Sequence, residues 1–177
     1  FHLAGEAERN ELWDRAQALY KRLIKEFEDG IYYVPALYNL GLLLESENKY
    51  DDAKRYYTML VERSRPTNEH AENTWISAHF RLAVCYGKLS QWWQAVGIFD
   101  FVLEEEDLAQ WHRFEALVGR GISMHEAQDP EGAEIALSKA FRFFVKMPLA
   151  RQRRGRDLAS EATFRMGDIA RVRFTEI

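Results

Sequence analysis

The sequence predicts an all-α protein built from repeated pairs of antiparallel helices. Four alanines combine three features: a bulky or ring-containing residue three positions before, a large residue four positions after, and a glycine or alanine twelve positions before. These upstream residues recur at intervals of 37, 42 and 38 residues, and Gly167, in a partial fifth copy, follows 46 residues after the last of them. A period of this length is typical of helical arrays. The four pairs of small residues are Ala4 with Ala16, Gly41 with Ala53, Ala83 with Ala95, and Gly121 with Ala133.

Each pair of small residues is predicted to mark one helical hairpin. Two helices approach closely only where their side chains are small, so the small residues indicate the crossing point. The bulky residue before the alanine, such as Tyr50, begins the second helix, and the later one, such as Tyr57, lies on the same helix face. Asp51 and Asp52 suit the start of that helix, because carboxylates interact favourably with its free amide groups.

The spacing of these features divides the chain into helices and repeats. Helices are predicted near 1–9, 12–28, 33–47, 50–64, 70–88, 91–106, 109–127, 130–146 and 156–174. The repeats form a single array over 1–177, at about 1–33 (partial), 34–67, 76–109, 114–147 and 160–177 (partial). The segments 64–73 and 148–157 are predicted to be the longest connections.

One stretch, LYNLGLLLESENKYDDAKRYYTMLVERSRP, resembles the tetratricopeptide repeat (TPR) family. Its matching positions are Leu37, Leu40, Gly41, Leu44, Tyr50, Ala53, Tyr57, Leu60 and Pro66. HFRLAVCYGKLSQWWQAVGIFDFVLEE matches nearly as well, and LVGRGISMHEAQDPEGAEIALSKAF matches except at Arg120 and Pro130. The resemblance implies a right-handed α-α superhelix, a solenoid of about nine antiparallel helices, whose first helices line a concave groove that holds a partner peptide or helix.

The resemblance also implies a non-catalytic protein–protein interaction module or scaffold. Long repeats and phrases such as ASEATFRMGDIA are similar to TPR lipoproteins of the bacterial cell envelope, so one hypothesis is an assembly factor or adaptor in the periplasm or envelope. The alternative is a docking or regulatory region of a larger protein whose catalytic domain lies elsewhere. Because the sequence opens without Met or a signal peptide, we expect a mature or trimmed product.

Residues on the first helix of each pair, offset from its packing positions, are predicted to face the groove. Residues at i, i+3 and i+4 share one helix face, so each helix contributes a short stripe. The stripes mix aromatic and aliphatic side chains with charges, as expected for a surface that binds a partner. The predicted partner-binding residues are Tyr38, Leu42, Glu45, Phe80, Val84, Lys88, Val118, Ile122, His125, Phe164, Asp168 and Arg171.

No motif typical of a catalytic, metal or cofactor site occurs in the sequence. MHEAQD lacks the second histidine of a zinc-binding helix, and the single cysteine, Cys85, lies in an apolar stripe that predicts a core position. The acidic run 104–107 lacks the spacing of a calcium loop and is predicted to be a solvated helix end. We therefore expect no cofactor, no metal and no small-molecule substrate.

The basic cluster RQRRGR, residues 151–156, is the most conspicuous charge cluster in the sequence. Nucleic-acid binding is disfavoured, because no aromatic residues are interleaved with the arginines and the net charge of the chain is −4. No apolar run approaches the roughly 20 residues that a membrane-spanning helix requires.

Overall fold

The computed structural model describes residues 2–28, 30–63 and 69–175. Within these ranges the regular structure consists of nine α-helices, with no β-strand, so the prediction of an all-α fold is confirmed. The helices are α1 (His2–Glu26), α2 (Tyr33–Ser46), α3 (Tyr50–Val61), α4 (Glu69–Lys88), α5 (Trp92–Leu103), α6 (Gln110–Glu126), α7 (Pro130–Phe144), α8 (Leu149–Arg154) and α9 (Arg156–Thr175).

The helices belong to two compact units, Phe1–Leu89 and Ser90–Ile177. In the first unit, α2 packs against α1 and α3, and α4 packs against α3 and α2. In the second unit, α6 packs against α5, α7 and α9, and α9 also contacts α7 and α8. The boundary between the units falls inside the repeat predicted at 76–109, and a single array over 1–177 stays a prediction.

The first helix differs from its predicted form. Two helices were expected at 1–9 and 12–28, whereas α1 is continuous from His2 to Glu26. The sequence between Gly5 and Gly30 contains no glycine or proline, so Asn10 alone does not interrupt the helix. Ala16, predicted to be buried at a crossing, is only half-buried, and the side chain of Ala4 lies outside the described residues.

A short helix occupies part of the segment predicted to be the connection 148–157. Pro148 precedes α8 as its N-cap, where its missing N–H leaves no helical hydrogen bond unmade. The Gln152 side-chain amide donates to the carbonyl oxygens of Val145, at 3.1 Å, and Met147, at 2.8 Å. These hydrogen bonds connect α8 to the segment that follows the end of α7.

The turns before α3, α5 and α7 have the same backbone form. Asn48, Ser90 and Gln128 have positive φ angles, of 60°, 58° and 63°, and each lies two residues before a helix. At the first of these turns, the Lys49 N–H donates to the carbonyl oxygen of Leu44 at 2.9 Å, which closes the end of α2 with a left-handed residue. The turns near 48 and 128 join helices that pack against each other, as the predicted hairpins require.

The hairpin of α2 and α3 packs through the predicted small residues. A Cβ atom on Gly41 would lie 2.4 Å from Cε1 of Tyr57, so the aromatic ring rests directly on the α2 backbone. Ala53 is completely buried, as predicted, and so are Leu37, Leu40 and Leu60 nearby in the sequence. Close approach at a glycine therefore positions α3 on α2.

The hairpin of α6 and α7 is built in the same way. A Cβ atom on Gly121 would lie 2.6 Å from Cδ2 of Leu137, and Ala133 is completely buried. A second close approach, not predicted, occurs at Gly119, where a Cβ atom would lie 2.3 Å from Cζ of Phe99 on α5. The two glycines allow α6 to lie close to both α5 and α7.

A candidate partner-binding face on α2 and α4

Helices α2 and α4 present adjacent stripes that contain six of the predicted partner-binding residues. Tyr38, Leu42 and Glu45 lie half-buried on α2. On α4, Phe80 is half-buried, whereas Val84 is 42% exposed and Lys88 is also exposed. The two helices contact each other directly, so their stripes belong to one surface, which we call the α2–α4 face.

An ion pair joins the two helices across the α2–α4 face. Nη1 of Arg81 on α4 lies 3.4 Å from Oε2 of Glu45 on α2. Burial opposes the charge of Arg81, but the Glu45 carboxylate and the hydroxyl of Tyr38 outweigh it and raise the pKa of Arg81. The Arg81 side chain is therefore held by α2, although 46% of it remains exposed to solvent.

Arg81 belongs to the face although it was not among the predicted residues. It lies three positions before Val84 and seven before Lys88, which is the spacing of one helix face. The signal was therefore present in the sequence. The sequence prediction names Phe80, which lies one position before Arg81 on the same helix.

The layer behind the α2–α4 face is aromatic and neutral. The rings of Tyr38 and Tyr57 are tilted at 58° with centroids 6.0 Å apart. Burial raises the pKa of the Tyr57 hydroxyl, and the neighbouring carboxylate of Glu45 raises it further. Burial likewise raises the pKa of the Cys85 thiol, to about 12, and its side chain is inaccessible to solvent. The prediction that Cys85 is a core residue is confirmed.

His79, also on α4, is part of the core of the first unit. It is 3% exposed, and its ring contacts that of Trp75 with centroids 4.1 Å apart. Nδ1 of His79 lies 2.9 Å from the carbonyl oxygen of Trp75, so the neutral ring donates its proton there. Burial lowers the pKa of His79, although this hydrogen bond acts in the opposite direction.

The predicted residues of the second unit have different surroundings. Val118 is completely buried in the core and does not fit the role of a groove residue, because α5, α7 and α9 surround α6. Ile122 packs against the same core, and His125 is half-buried. Phe164 is 64% exposed on α9, where Nη2 of Arg171 also pairs with Oδ1 of Asp168 at 3.0 Å.

Arg165 connects α9 to α6 near these residues. Its guanidinium pairs with the carboxylate of Glu126, at the end of α6, and with Oε1 of Glu161 at 2.8 Å. The hydrogen bond with Glu161 and the charge of Glu126 raise the pKa of Arg165, although burial acts against them. The α6 stripe is thus turned toward α9 and the core, whereas the α2–α4 face has the more accessible predicted residues.

The two charged runs singled out in the sequence lie outside the α2–α4 face. The acidic run 104–107 follows the end of α5, where Arg113 donates to the carbonyl oxygens of Leu103, at 3.2 Å, and Glu105, at 2.8 Å. In the basic cluster, Nη1 of Arg151 donates to Oε1 of Gln110 at 3.1 Å, and Arg153 is exposed.

Two kinds of feature are absent from the described residues. They contain no group of three or more histidine, cysteine, aspartate or glutamate side chains arranged to hold a metal ion. Among the same residues, no helix combines the length and the apolar character needed to cross a bilayer.

One stretch of the chain is similar to a known family. Residues 35–65 match the model of the tetratricopeptide repeat, a range that contains α3 and most of α2. No curated protein matches the sequence.

Solved structures with the same fold come from several bacteria. PcrH from Pseudomonas aeruginosa superposes with a TM-score of 0.62 at 17% identity, over 80% of this chain and 94% of PcrH. PcrH in complex with the chaperone binding region of PopD superposes with a TM-score of 0.60 at 17% identity, over 77% and 90% of the two chains. A tetratricopeptide repeat protein from Parabacteroides merdae gives 0.62 at 18% identity, over 99% of this chain and 64% of its own.

Proposed function

From the tetratricopeptide repeat at residues 35–65 and the tetratricopeptide-repeat fold of the chain, we propose that this protein is a non-catalytic interaction module. It binds a peptide or helix of a partner protein on the α2–α4 face. The observation that carries the proposal is the composition of this face, where the exposed aliphatic side chain of Val84 lies between two cations, Arg81 and Lys88, on one helix stripe.

The α2–α4 face suits a partner segment that carries both apolar and acidic side chains. Val84 offers apolar area that its own unit leaves exposed, and such area favours contact with a partner. Arg81 is oriented by Glu45, so it loses little conformational freedom when it pairs with a carboxylate of the partner. Among structures of the same fold, PcrH has been solved with the chaperone binding region of PopD, which supports peptide binding by such a fold.

The chemistry of the face favours binding over catalysis. The single cysteine of the chain lies beneath the face, but burial raises its pKa to about 12. A thiol with this pKa remains protonated at neutral pH and is a weak nucleophile. Cys85 therefore contributes to packing, and the face recognises its partner through shape and charge.

A finer proposal concerns location. The style of the repeats favours an assembly factor or adaptor of the bacterial periplasm or cell envelope. Fractionation of the host cell, followed by immunoblotting for this protein, tests the location. Recovery with the periplasmic or membrane fraction is expected, and recovery with the cytoplasmic fraction would contradict it.

Site-specific photocrosslinking in the native host tests the partner proposal. A photoreactive amino acid at Val84 should crosslink one partner protein, and mass spectrometry of the product should locate an apolar and acidic segment. Arg55 is exposed on α3, away from the predicted stripes, and is the matched control position. The same partner crosslinked equally from both positions, or no product from Val84, would contradict the proposal.

A further inference from the structure

A second surface with a distinct composition lies on the outward side of α7. Ile135, Lys139 and Arg142 on this helix and Lys146 just beyond its end follow one another at intervals of four, three and four residues. This spacing places all four on one side of the helix. We call this surface the α7 face. It belongs entirely to the second unit and shares no residue with the α2–α4 face.

Ile135 is the central feature of the α7 face. Its side chain is 68% exposed. Because β-branched residues have a lower helix propensity than alanine, helix formation does not explain an isoleucine at this exposed position. Three shallow depressions, of about 390, 430 and 440 Å³, all have Ile135 in their lining. An apolar side chain from a partner can therefore contact Ile135 from any of the three sides.

The depression on the C-terminal side of Ile135 is basic. Lys139, Arg142, Lys146 and the aromatic ring of Phe143 complete its lining. Nε of Arg142 donates to the neutral carbonyl oxygen of Ser138 at 3.3 Å. Within the part of the chain that the structure describes, no ion pair involves Lys139, Arg142 or Lys146. Three positive charges thus flank an exposed apolar residue.

The opposite edges of the α7 face carry negative charge. Glu131 and Glu134 line the depression toward the start of α7. Glu104 and Asp100 line the depression toward α5, where Asp100 is already paired with Arg120. A nucleic acid or an anionic membrane extends negative charge over a wide area, and these carboxylates would repel it. A narrow acidic ligand can meet the cations and avoid the carboxylates.

We propose that the α7 face is a second docking site, whose ligand is an acidic peptide segment with an aliphatic or aromatic anchor. The anchor packs against Ile135 and Phe143, and the carboxylates of the peptide pair with Lys139, Arg142 and Lys146. The proposal does not depend on the α2–α4 face, so it survives or fails independently of the function proposed above.

Fluorescence anisotropy with three labelled synthetic peptides tests this site. The first peptide combines glutamate and leucine at helical spacing, the second replaces every glutamate by lysine, and the third replaces every leucine by serine. The wild-type protein is expected to bind the first peptide at least about tenfold more tightly than either of the others, because both charge and anchor contribute. Equal binding of all three peptides, or no binding of the first, would overturn the proposal.

Charge-reversal variants locate the binding. Lys139→Glu with Lys146→Glu should weaken the first peptide by about tenfold or more, and Ile135→Ser should also weaken it. Arg153→Glu with Arg156→Glu is the matched control, because both residues are exposed in the same unit and the net charge changes equally. An equal loss of peptide affinity in the two charge-reversal variants would show that the α7 face is not the binding site. If Lys139→Glu with Lys146→Glu does not fold by circular dichroism, the glutamine pair replaces it.

Two further measurements distinguish a peptide from other ligands that the α7 face could bind. An anionic vesicle or a DNA oligonucleotide that displaces the first peptide with equal efficiency would overturn the choice of a peptide ligand. Sedimentation then measures the oligomeric state. If the wild type is a dimer and Ile135→Ser is a monomer, the α7 face binds a second copy of the chain and the proposal is overturned. A monomer with peptide binding lost in Lys139→Glu with Lys146→Glu supports the proposal.

Discussion

The ring of Tyr57 occupies the space that any side chain at Gly41 would need. A Cβ atom on Gly41 would meet the Cε1, Cζ and Cδ1 atoms of that ring at 2.4, 2.5 and 3.0 Å. Tyr57 is completely buried, so the ring cannot swing into solvent to make room. Tyr57 also contacts the aromatic ring of Tyr38. The close approach at Gly41 therefore fixes the position of a ring that packs directly behind the α2–α4 face.

Gly41→Ala is therefore expected to destabilise the protein. The added methyl group overpacks the α2–α3 crossing and should lower the free energy of unfolding by about 1–3 kcal/mol. This cost exceeds the gain of up to about 1 kcal/mol that alanine brings to a helix interior. Urea denaturation followed by circular dichroism measures the difference.

Gly97→Ala is the matched control, with the opposite expected sign. Gly97 is also in a helix interior, on α5, but a Cβ atom there would have no neighbour within 4 Å. The substitution therefore changes only the helix propensity at this position, and it should stabilise the protein by about 0.5–1 kcal/mol. Equal effects of the two substitutions would show that the contact between Gly41 and Tyr57 does not limit the approach of α3 to α2.

Asp129→Ala should destabilise the hairpin of α6 and α7. Oδ1 of Asp129 accepts a hydrogen bond from the Gly132 N–H at 2.9 Å and so caps the start of α7. Loss of an N-cap of this kind costs about 0.5–2 kcal/mol. Thermal denaturation of Asp129→Ala measures the loss, and Asp129→Asn, which keeps the accepting oxygen, should recover most of it. An asparagine variant as unstable as the alanine variant would contradict the capping role.

The hairpins could be predicted from the sequence because their constraints are local and repeated. Small residues at Gly41, Ala53, Gly121 and Ala133 mark positions where backbones approach, and the spacing of twelve residues is set by the turn between two helices. Pro130 departs from the family pattern, but it takes the first position of α7 behind the Asp129 cap, where proline is well accommodated.

The continuous form of α1 and the burial of Val118 could not be predicted in this way. A match at Ala4 and Ala16 suggested a turn, but the segment between them lacks a residue that would terminate a helix. Val118 lies on a helix face that periodicity alone assigns to solvent. Its burial depends on the helices that pack around α6, namely α5, α7 and α9, and α9 comes from a distant part of the sequence.

The stability of the protein should fall below pH 6.5 partly through His79. Because burial lowers the pKa of His79 below its usual value of 6.5, the unfolded chain binds a proton there before the native protein does. The contribution of His79 to stability is therefore complete above pH 6.5 and is lost as the pH falls, by at most about 1.4 kcal/mol per pH unit. Urea denaturation at a series of pH values between about 5 and 7.5 measures this slope.

His79→Gln isolates the histidine from other groups that titrate in this range. The variant should be less stable at neutral pH, because the ring packs against Trp75, but its stability should change less with pH. Identical slopes for the two proteins would contradict a lowered pKa for His79.

The central claim is that the α2–α4 face binds a partner segment, and isothermal titration calorimetry tests it most directly. The titrant is the purified segment that crosslinks to position 84. Val84→Glu with Lys88→Glu should weaken binding by at least about tenfold, because it removes the apolar contact and reverses a charge. Arg55→Glu on α3 should leave the affinity unchanged. Full affinity in the face variant, with its helicity intact by circular dichroism, would contradict the claim.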